Sequence, residues 1–228
     1  MSDLIDTTEM YLKTVYELEE EGIPALRARI VERLGQSGPT VSETVARMER
    51  DGLVTVGEDR RVRFTEAGLR RAAKVMRRHR LVERLLRDVI KQPWEQIHDE
   101  ACRWEHVVSD DVANRIEDML NSPETDPFGN PIPTRFAFDP VKNSATNQGL
   151  RRLSDVVPPE GEHAAFTVKR IAENVQTDFD ELAALIESGL TPGVAIDVEA
   201  SGSAMIVVHI GDDVLELSRL VAQSIFVA

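Results

Sequence analysis

His98-Asp-Glu-Ala-Cys102-Arg-Trp-Glu105-His106 places four metal-ligand side chains at offsets 0, 4, 7 and 8. At about 100° per residue on a helix, those four positions share one face. His79 and Glu83 form a second such pair, four residues apart among basic residues. Imidazole, thiolate and carboxylate are the donors that divalent transition metals take. A solvated acidic face with one buried cysteine and hydrogen-bonded histidines accounts for any one of these residues. The six together at helical spacing favour an ion.

The elements that must position these groups come from a chain of 228 residues, long enough for more than one domain. Apolar runs stay short of membrane-spanning length, and Met1-Ser-Asp-Leu-Ile-Asp opens acidic, unlike a signal peptide. A cytoplasmic protein with no membrane partner is expected. The single cysteine, Cys102, excludes an internal disulfide and leaves its sulfur available for metal or redox chemistry. The formal net charge is -13, but residues 25–84 carry 15 Lys and Arg against 8 Asp and Glu, a local balance of +7 that leaves -20 elsewhere. A basic block in an acidic chain fits a phosphate footprint, and it equally fits an Arg-rich solvated surface.

A capping hydroxyl at Thr7-Thr8 predicts a first helix that ends at Gly22, with Met10, Val15 and Leu18 near helical spacing. A second short helix spans Ala25 to Leu34 and stops at Gly35, and Gln36-Ser37-Gly38-Pro39 reads as a turn. The third runs from Thr40 to Asp51, with Thr40-x-x-Glu43 as a capping box and Gly52 as its C-cap. Two helices joined by a tight turn form a helix-turn-helix. Leu53–Val56 and Arg61–Thr65 then pair as a β-hairpin, which is a wing. Ser37, Pro39, Thr40 and Ser42 gather at the start of the third helix, Arg47 and Arg50 lie further along it, and Arg60 and Arg61 sit on the hairpin. Hydroxyls, arginines and a helix N-terminus are what DNA phosphates require, so Arg27, Arg47, Arg50 and Arg60 are expected to contact phosphate.

Thr65-Glu66 begins a long helix to about Ile90 that carries His79 and Glu83, and Pro93-Trp94-Glu95 starts the helix of the Cys102 face. Leu81, Leu85, Val89, Ile97, Val108 and Ile116 fit a core or a subunit interface, because long helices beyond a small DNA-binding module commonly supply a dimer contact. Pro123, Pro127, Gly129, Pro131, Pro133 and Pro140 then mark a linker. Strand patterns at 165–171, 193–199 and 204–210 and near Ser224, with one helix over 178–188, predict a small β-barrel. His163 and His209 have no ligand spacing and read as surface or packing residues.

The motifs Asp6-Thr-Thr-Glu-Met10-Tyr-Leu, Gln36-Ser-Gly-Pro-Thr-Val-Ser, Val45-Ala-Arg-Met-Glu-Arg-Asp-Gly-Leu, His98-Asp-Glu-Ala-Cys-Arg-Trp-Glu-His and Pro127-Phe-Gly-Asn-Pro-Ile-Pro together resemble the diphtheria toxin repressor family of iron-dependent repressors. The resemblance is very specific through residue 133 and weaker beyond. It implies an α+β chain: a winged helix-turn-helix DNA-binding domain at 1–64, a helical dimerisation and metal-binding domain at 65–122, a Pro-rich linker at 123–147 and an SH3-like β-barrel domain at 148–228. It also implies a regulatory metal site of Met10, Cys102, Glu105 and His106, where Cys102 can add its carbonyl. An ancillary site of His79, Glu83 and His98 is implied as well, completed by Glu173 and Gln176 of Glu173-Asn-Val-Gln176. The family usually has Gln where this chain has Glu43. A carboxylate there can accept from a cytosine amino group, repel phosphate or cap its own helix.

Together with these features, the resemblance implies a metal-dependent transcriptional repressor, not an enzyme, whose homodimer binds a palindromic double-stranded DNA operator of iron-homeostasis genes with one or two dimers. Soft thioether and thiolate donors favour Fe(II), with Co(II), Ni(II), Zn(II) or Mn(II) as substitutes in vitro. A manganese-responsive repressor is the alternative. A metalloenzyme ranks lower, because the chain has no His-Glu-x-x-His helix or comparable hydrolase motif. A structural zinc site with one cysteine and a thioether is also poor chemistry.

Overall fold

Asp6, not the hydroxyls that follow it, caps the first helix: its carboxylate accepts from the Thr8 and Glu9 amides at 2.8 and 3.2 Å. A carboxylate also suits the positive end of the helix dipole better than a hydroxyl. The computed structural model describes residues 6–135, 139–142, 144–145, 147–201 and 204–228; the acidic opening at residues 1–5 lies outside them. Two compact units make up the chain, one of residues 1–82, 101–122 and 132–144, the other of residues 83–100, 123–131 and 145–228.

In the first unit α1 (Thr7–Glu20), α2 (Arg27–Leu34) and α3 (Gly38–Arg50) precede a hairpin of β1 (Val54–Val56) and β2 (Val62–Phe64). Gly35 ends α2 in the left-handed region, at φ 61°, where a glycine carries no steric penalty. Ser37 caps α3, accepting from the Thr40 amide at 3.3 Å, and Pro39 fits the first turn. The expected Thr40–Glu43 capping box therefore does not form. Thr40 is already inside the helix, its hydroxyl 2.7 Å from that of Ser37, and Glu43 points to solvent. Tyr11, Leu12, Val15 and Leu18 of α1 pack with Ile30, Val41, Val45 and Met48, and with Val54 and Val62 of the hairpin. Burial of these side chains, at about 1.5–3 kcal/mol each, holds the module together.

The helix α4 (Glu66–Arg84) continues as a π-helical turn at Leu85–Ile90 and ends where Lys91 adopts φ 64°. Its residues Ala72, Ala73 and Met76 join the first unit's core. Gly68 makes that approach possible, because a Cβ there would lie 1.8 Å from the Leu53 carbonyl oxygen. The helices α5 (Trp94–Trp104) and α6 (Asp110–Met119) follow, with Ser109 capping α6. Leu81, Ile97 and Ile116 are buried as expected of core positions, whereas Val89 is 51% exposed in the single chain.

In the second unit β3 (Arg151–Arg152), β4 (His163–Ile171), α7 (Glu173–Gln176), α8 (Phe179–Glu187), β5 (Ala195–Ser201), β6 (Met205–Ile210), β7 (Asp213–Ser218), α9 (Arg219–Ala222) and β8 (Ile225–Val227) form the SH3-like domain. Its antiparallel sheet has the order β3-β8-β4-β5-β6-β7, and β4 pairs with both β5 and β8, the β8 ladder shifting register between Val168 and Arg170. Val168, Ile196, Val198, Ile206, Val208 and Phe226 fill its core. The proline-rich stretch is anchored at Asp126–Asn130. Phe128 is buried, its carbonyl accepts from the Ile171 amide at 2.9 Å, and Asn130 donates to the Ile171 carbonyl at 3.1 Å. Gly129 lies at φ 84° with its α-carbon so close to Lys169 that a Cβ would stand 2.0 Å from that carbonyl oxygen.

One carboxyl of α1 carries a pH dependence. Burial raises Glu19 to about 7, with Asp139 adding to the rise and Arg63 opposing it. An acid whose folded pKa exceeds its unfolded value costs stability once ionised. The cost is absent below about pH 4.5, grows through the interval and is complete above about pH 7. Glu19→Gln is therefore expected to stabilise the protein by about 1–2 kcal/mol at pH 8, after discounting for partial exposure, and by nothing near pH 4.5. Thermal unfolding of both proteins across that range checks this, and a stability difference that does not change with pH contradicts it.

Candidate metal centre

Glu105 and His106 lie just beyond the last turn of α5, not within it, and the Glu105 amide still donates to the Ala101 carbonyl at 2.9 Å. The helical register of the four-residue face thus persists to Glu105 and loosens at His106. Facing this end is α1, whose Glu9 and Lys13 reach the cluster, while Met10 on the same helix is partly buried against the first unit's core. Met10 and Lys13 are three residues apart, hence neighbours on the helix surface.

Lys13 is the unexpected member. Only 6% exposed, its ammonium donates to Cys102 Sγ at 3.4 Å and to Glu105 Oε2 at 3.2 Å, and it lies 3.1 Å from His79 Nδ1. Glu105 Oε2 also stands 2.6 Å from His79 Nδ1. An ionised carboxylate only accepts, so the shared proton belongs to the His79 nitrogen. Burial pushes the Glu105 carboxyl up, but Lys13, His79 and His106 outweigh it and the net shift is downward. His106 is pushed down by its own burial and raised more by the Glu9 carboxylate, 2.8 Å from Nδ1, and by Glu105, 3.3 Å from Nε2; its net shift is upward.

The donor set fits a cation. Thiol sulfur, carboxylate and imidazole converge within the first unit, and a lysine ammonium stands among them as a monovalent stand-in. Sequence patterns picked out Cys102, Glu105 and His106 but missed Lys13 and Glu9. Their partners Glu105 and His106 lie 92 and 97 residues away, a separation that local spacing does not encode.

In the second unit Glu83 and His98 meet with 3.4 Å between Glu83 Oε1 and His98 Nδ1. Glu173 and Gln176 sit in that unit too, on the single turn α7, 3% and 2% exposed. Gln176 donates to the Ile171 carbonyl at 3.0 Å, while its side-chain oxygen is buried with no hydrogen-bond partner among the described residues. That oxygen is an acceptor held away from water, which is costly unless a donor or cation meets it. His79 belongs to the first unit.

On the DNA-binding module, Ser37, Pro39, Thr40, Ser42, Glu43, Arg47, Arg50 and Arg60 are all exposed and Arg27 is half-buried. Arg60 occupies the tip of the hairpin at φ 62°. Helix α3 thus presents its N-terminal hydroxyls and two arginines on the side opposite buried Val41, Thr44, Val45 and Met48.

Three family profiles match this chain: the iron-dependent repressor N-terminal DNA binding domain over residues 3–62, the iron-dependent repressor metal binding and dimerisation domain over 65–134, and the FeoA domain over 158–228. The iron-dependent repressor IdeR of Mycobacterium tuberculosis (strain ATCC 25618 / H37Rv) is 49% identical over 228 residues, covering 99% of this chain and 98% of that protein. The chain belongs to the iron-dependent repressor family.

Relatives of this repressor include IdeR of Mycobacterium leprae (strain TN), 51% identical over 92% of the chain and 91% of that protein. The diphtheria toxin repressor of Corynebacterium diphtheriae is 45% identical over 94% and 93%. Among solved structures, a manganese-dependent transcriptional repressor in complex with manganese superposes on the repressor with a TM-score of 0.77, at 29% identity and 97% and 99% coverage. T. acidophilum IdeR gives 0.76 at 26% identity, covering 98% of each chain. The repressor is a transcriptional regulator, not an enzyme, and none of its described helices is long and apolar enough to cross a membrane.

Proposed function

We propose that Fe(II) is the activating ion of this repressor and that it is held by Met10, Cys102, Glu105 and His106. The observation that carries the proposal is the Lys13 ammonium seated against Cys102 Sγ and Glu105 Oε2, which marks the point where these side chains accept positive charge. A bound dication supplies charge and ligand field at that point. The protein's own residues do the rest. Met10 comes from α1, Cys102 from the last turn of α5 and Glu105 and His106 from the residues just after it, so one ion tethers the first helix of the DNA-binding module to the helical domain.

A symmetric dimer must present two α3 helices about one DNA turn apart, some 34 Å, to read a palindromic operator. Tethering α1 narrows the range of orientations the module samples and favours the DNA-competent one. Arg27, Arg47, Arg50 and Arg60 neutralise phosphate, Ser37, Pro39, Thr40 and Ser42 line the entry of α3, and Glu43 faces the groove. His79, Glu83, His98, Glu173 and Gln176 are assigned to an ancillary set that supports activation. The protein acts in the cytoplasm as a homodimer on the operators of iron-homeostasis genes.

A Mn(II)-responsive repressor is the second reading, favoured by the likeness to a manganese-dependent repressor at 29% identity. Against it stands the sulfur content of the site, since manganese prefers oxygen and imidazole donors. An anaerobic gel shift on genomic fragments decides between them. Retardation with Fe(II) at lower concentration than with Mn(II), reversed by a chelator while the fold is retained, is expected. Retardation that survives chelation removes metal activation altogether, and a lower threshold for Mn(II) selects the second reading.

A further inference from the structure

His163 and His209 lie far apart in sequence and were read as surface or packing residues. The sheet register overturns that separation. His163 on β4 pairs with Glu199 on β5, and Asp197 on β5 pairs with His209 on β6. Residues 197 and 199 share one face of β5, because side chains alternate along a strand, and the intervening Val198 is buried on the other. Two imidazoles and two carboxylates therefore gather on the outer face of three adjacent strands.

Their contacts are specific. His163 Nε2 lies 3.4 Å from Glu199 Oε2, and His209 Nε2 lies 3.2 Å from Glu199 Oε1. Donors at about 2.0–2.1 Å from a tetrahedral ion stand about 3.3 Å apart, so this spacing is what a shared cation requires. His163 Nδ1 lies 2.8 Å from Asp197 Oδ2. The ionised carboxylate only accepts, so the proton sits on Nδ1 and the lone pair of Nε2 is turned toward Glu199. A carboxylate that fixes a ligand histidine from its far nitrogen is the outer-shell arrangement common to metal sites. The two rings are 5.9 Å apart between centroids and tilted by 42°, so they do not stack on each other.

We propose that His163, Glu199 and His209 form a further divalent-metal site on the SH3-like domain, with Asp197 as the positioning residue of His163. Two imidazoles and one carboxylate suit a borderline cation such as Zn(II), Ni(II) or Cu(II) better than Ca(II) or Mg(II). The ligands are one-third to one-half exposed, so the remaining coordination positions belong to water and the affinity is modest. This site shares no residue with those proposed for activation.

Equilibrium dialysis of the full-length chain against Zn(II) tests the proposal. The His163→Ala/His209→Ala protein is expected to bind one equivalent fewer per chain, and Asp197→Asn to weaken that equivalent by about tenfold. All the altered side chains are on the exposed face, and unfolding curves report whether the fold is kept; Glu199→Gln repeats the test with the smallest change in shape. Cu(II) at this site in the wild type is expected to show coupling to two imidazole nitrogens in its electron paramagnetic resonance spectrum, lost in the double variant. Unchanged stoichiometry and affinity in the folded variants overturns the proposal.

Discussion

Replacing Cys102 by Ala is expected to abolish Fe(II)-activated operator binding at iron concentrations that saturate the wild type. The sulfur is the only thiol in the chain, and it belongs to the group that joins α1 to the end of α5. Losing a direct soft ligand weakens iron by at least about a hundredfold, the upper end of what outer-shell changes alone produce. Folding is expected to survive, because the side chain is only half-buried and lies outside the apolar cluster around Tyr11 and Met48. Anaerobic calorimetry with Fe(II) and operator binding by fluorescence anisotropy read the two effects separately. Cys102→Asp returns an anionic but hard donor, and together with Met10→Asp it is expected to shift the response toward Mn(II). A folded, dimeric Cys102→Ala protein that still needs iron at the wild-type concentration would falsify the assignment.

The opposite outcome is expected at Lys13. Its ammonium lies against the same sulfur and carboxylate proposed to receive the ion, so on that proposal a dication and Lys13 compete for one place. Removing the competitor in Lys13→Met is expected to tighten Fe(II) by about tenfold or more, since two like charges about 4 Å apart repel by several kcal/mol even at an effective dielectric near 20. The metal-free protein should lose stability at the same time. Glu105, 2% exposed, loses its lysine partner and keeps His79 and His106 beside it, and a buried carboxylate deprived of one partner costs about 3–5 kcal/mol. Metal should restore it, so the thermal shift on loading grows. Lys13→Arg keeps the charge and is expected to behave as the wild type. Equal or weaker iron affinity in folded Lys13→Met, or tightening in Lys13→Arg as well, removes Lys13 from the role of resident counter-ion.

The helices and wing were legible in the sequence because each is punctuated locally. Gly35 and Gly52 at positive φ, Pro39 in a first turn and Ser37 before it are short-range signals. Caps were less legible where two polar residues compete for one amide: Asp6 displaces Thr7–Thr8, and Ser37 displaces Thr40. Cys102, Glu105 and His106 could be read because helical periodicity alone places them on one face. Lys13 could not, since its partners lie 66 to 92 residues away and a lysine three residues after Met10 reads as an ordinary solvated side chain. The same holds for His163 and His209, whose meeting depends on a strand register that nothing in their own spacing encodes. β7, with the pattern Asp213-Val-Leu-Glu-Leu-Ser218, went unpredicted because it is an edge strand with only Leu217 buried.

Tyr11 follows Met10 directly, and its hydroxyl donates to Gln36 Oε1 at 2.5 Å, next to the residue that caps α3. The helix proposed to offer a ligand to the ion is thus bonded directly to the turn that leads into α3. Such a connection works in both directions. By thermodynamic reciprocity, whatever factor iron adds to operator affinity, the operator must add to iron affinity. On the proposed iron activation, repressor seated on DNA therefore retains its ion at a lower free concentration than repressor in solution. As iron falls, dimers away from operators empty first, and the tightest operators are the last to be relieved. One fixed pair of binding constants can in this way grade the genes under its control by the strength of their sites alone.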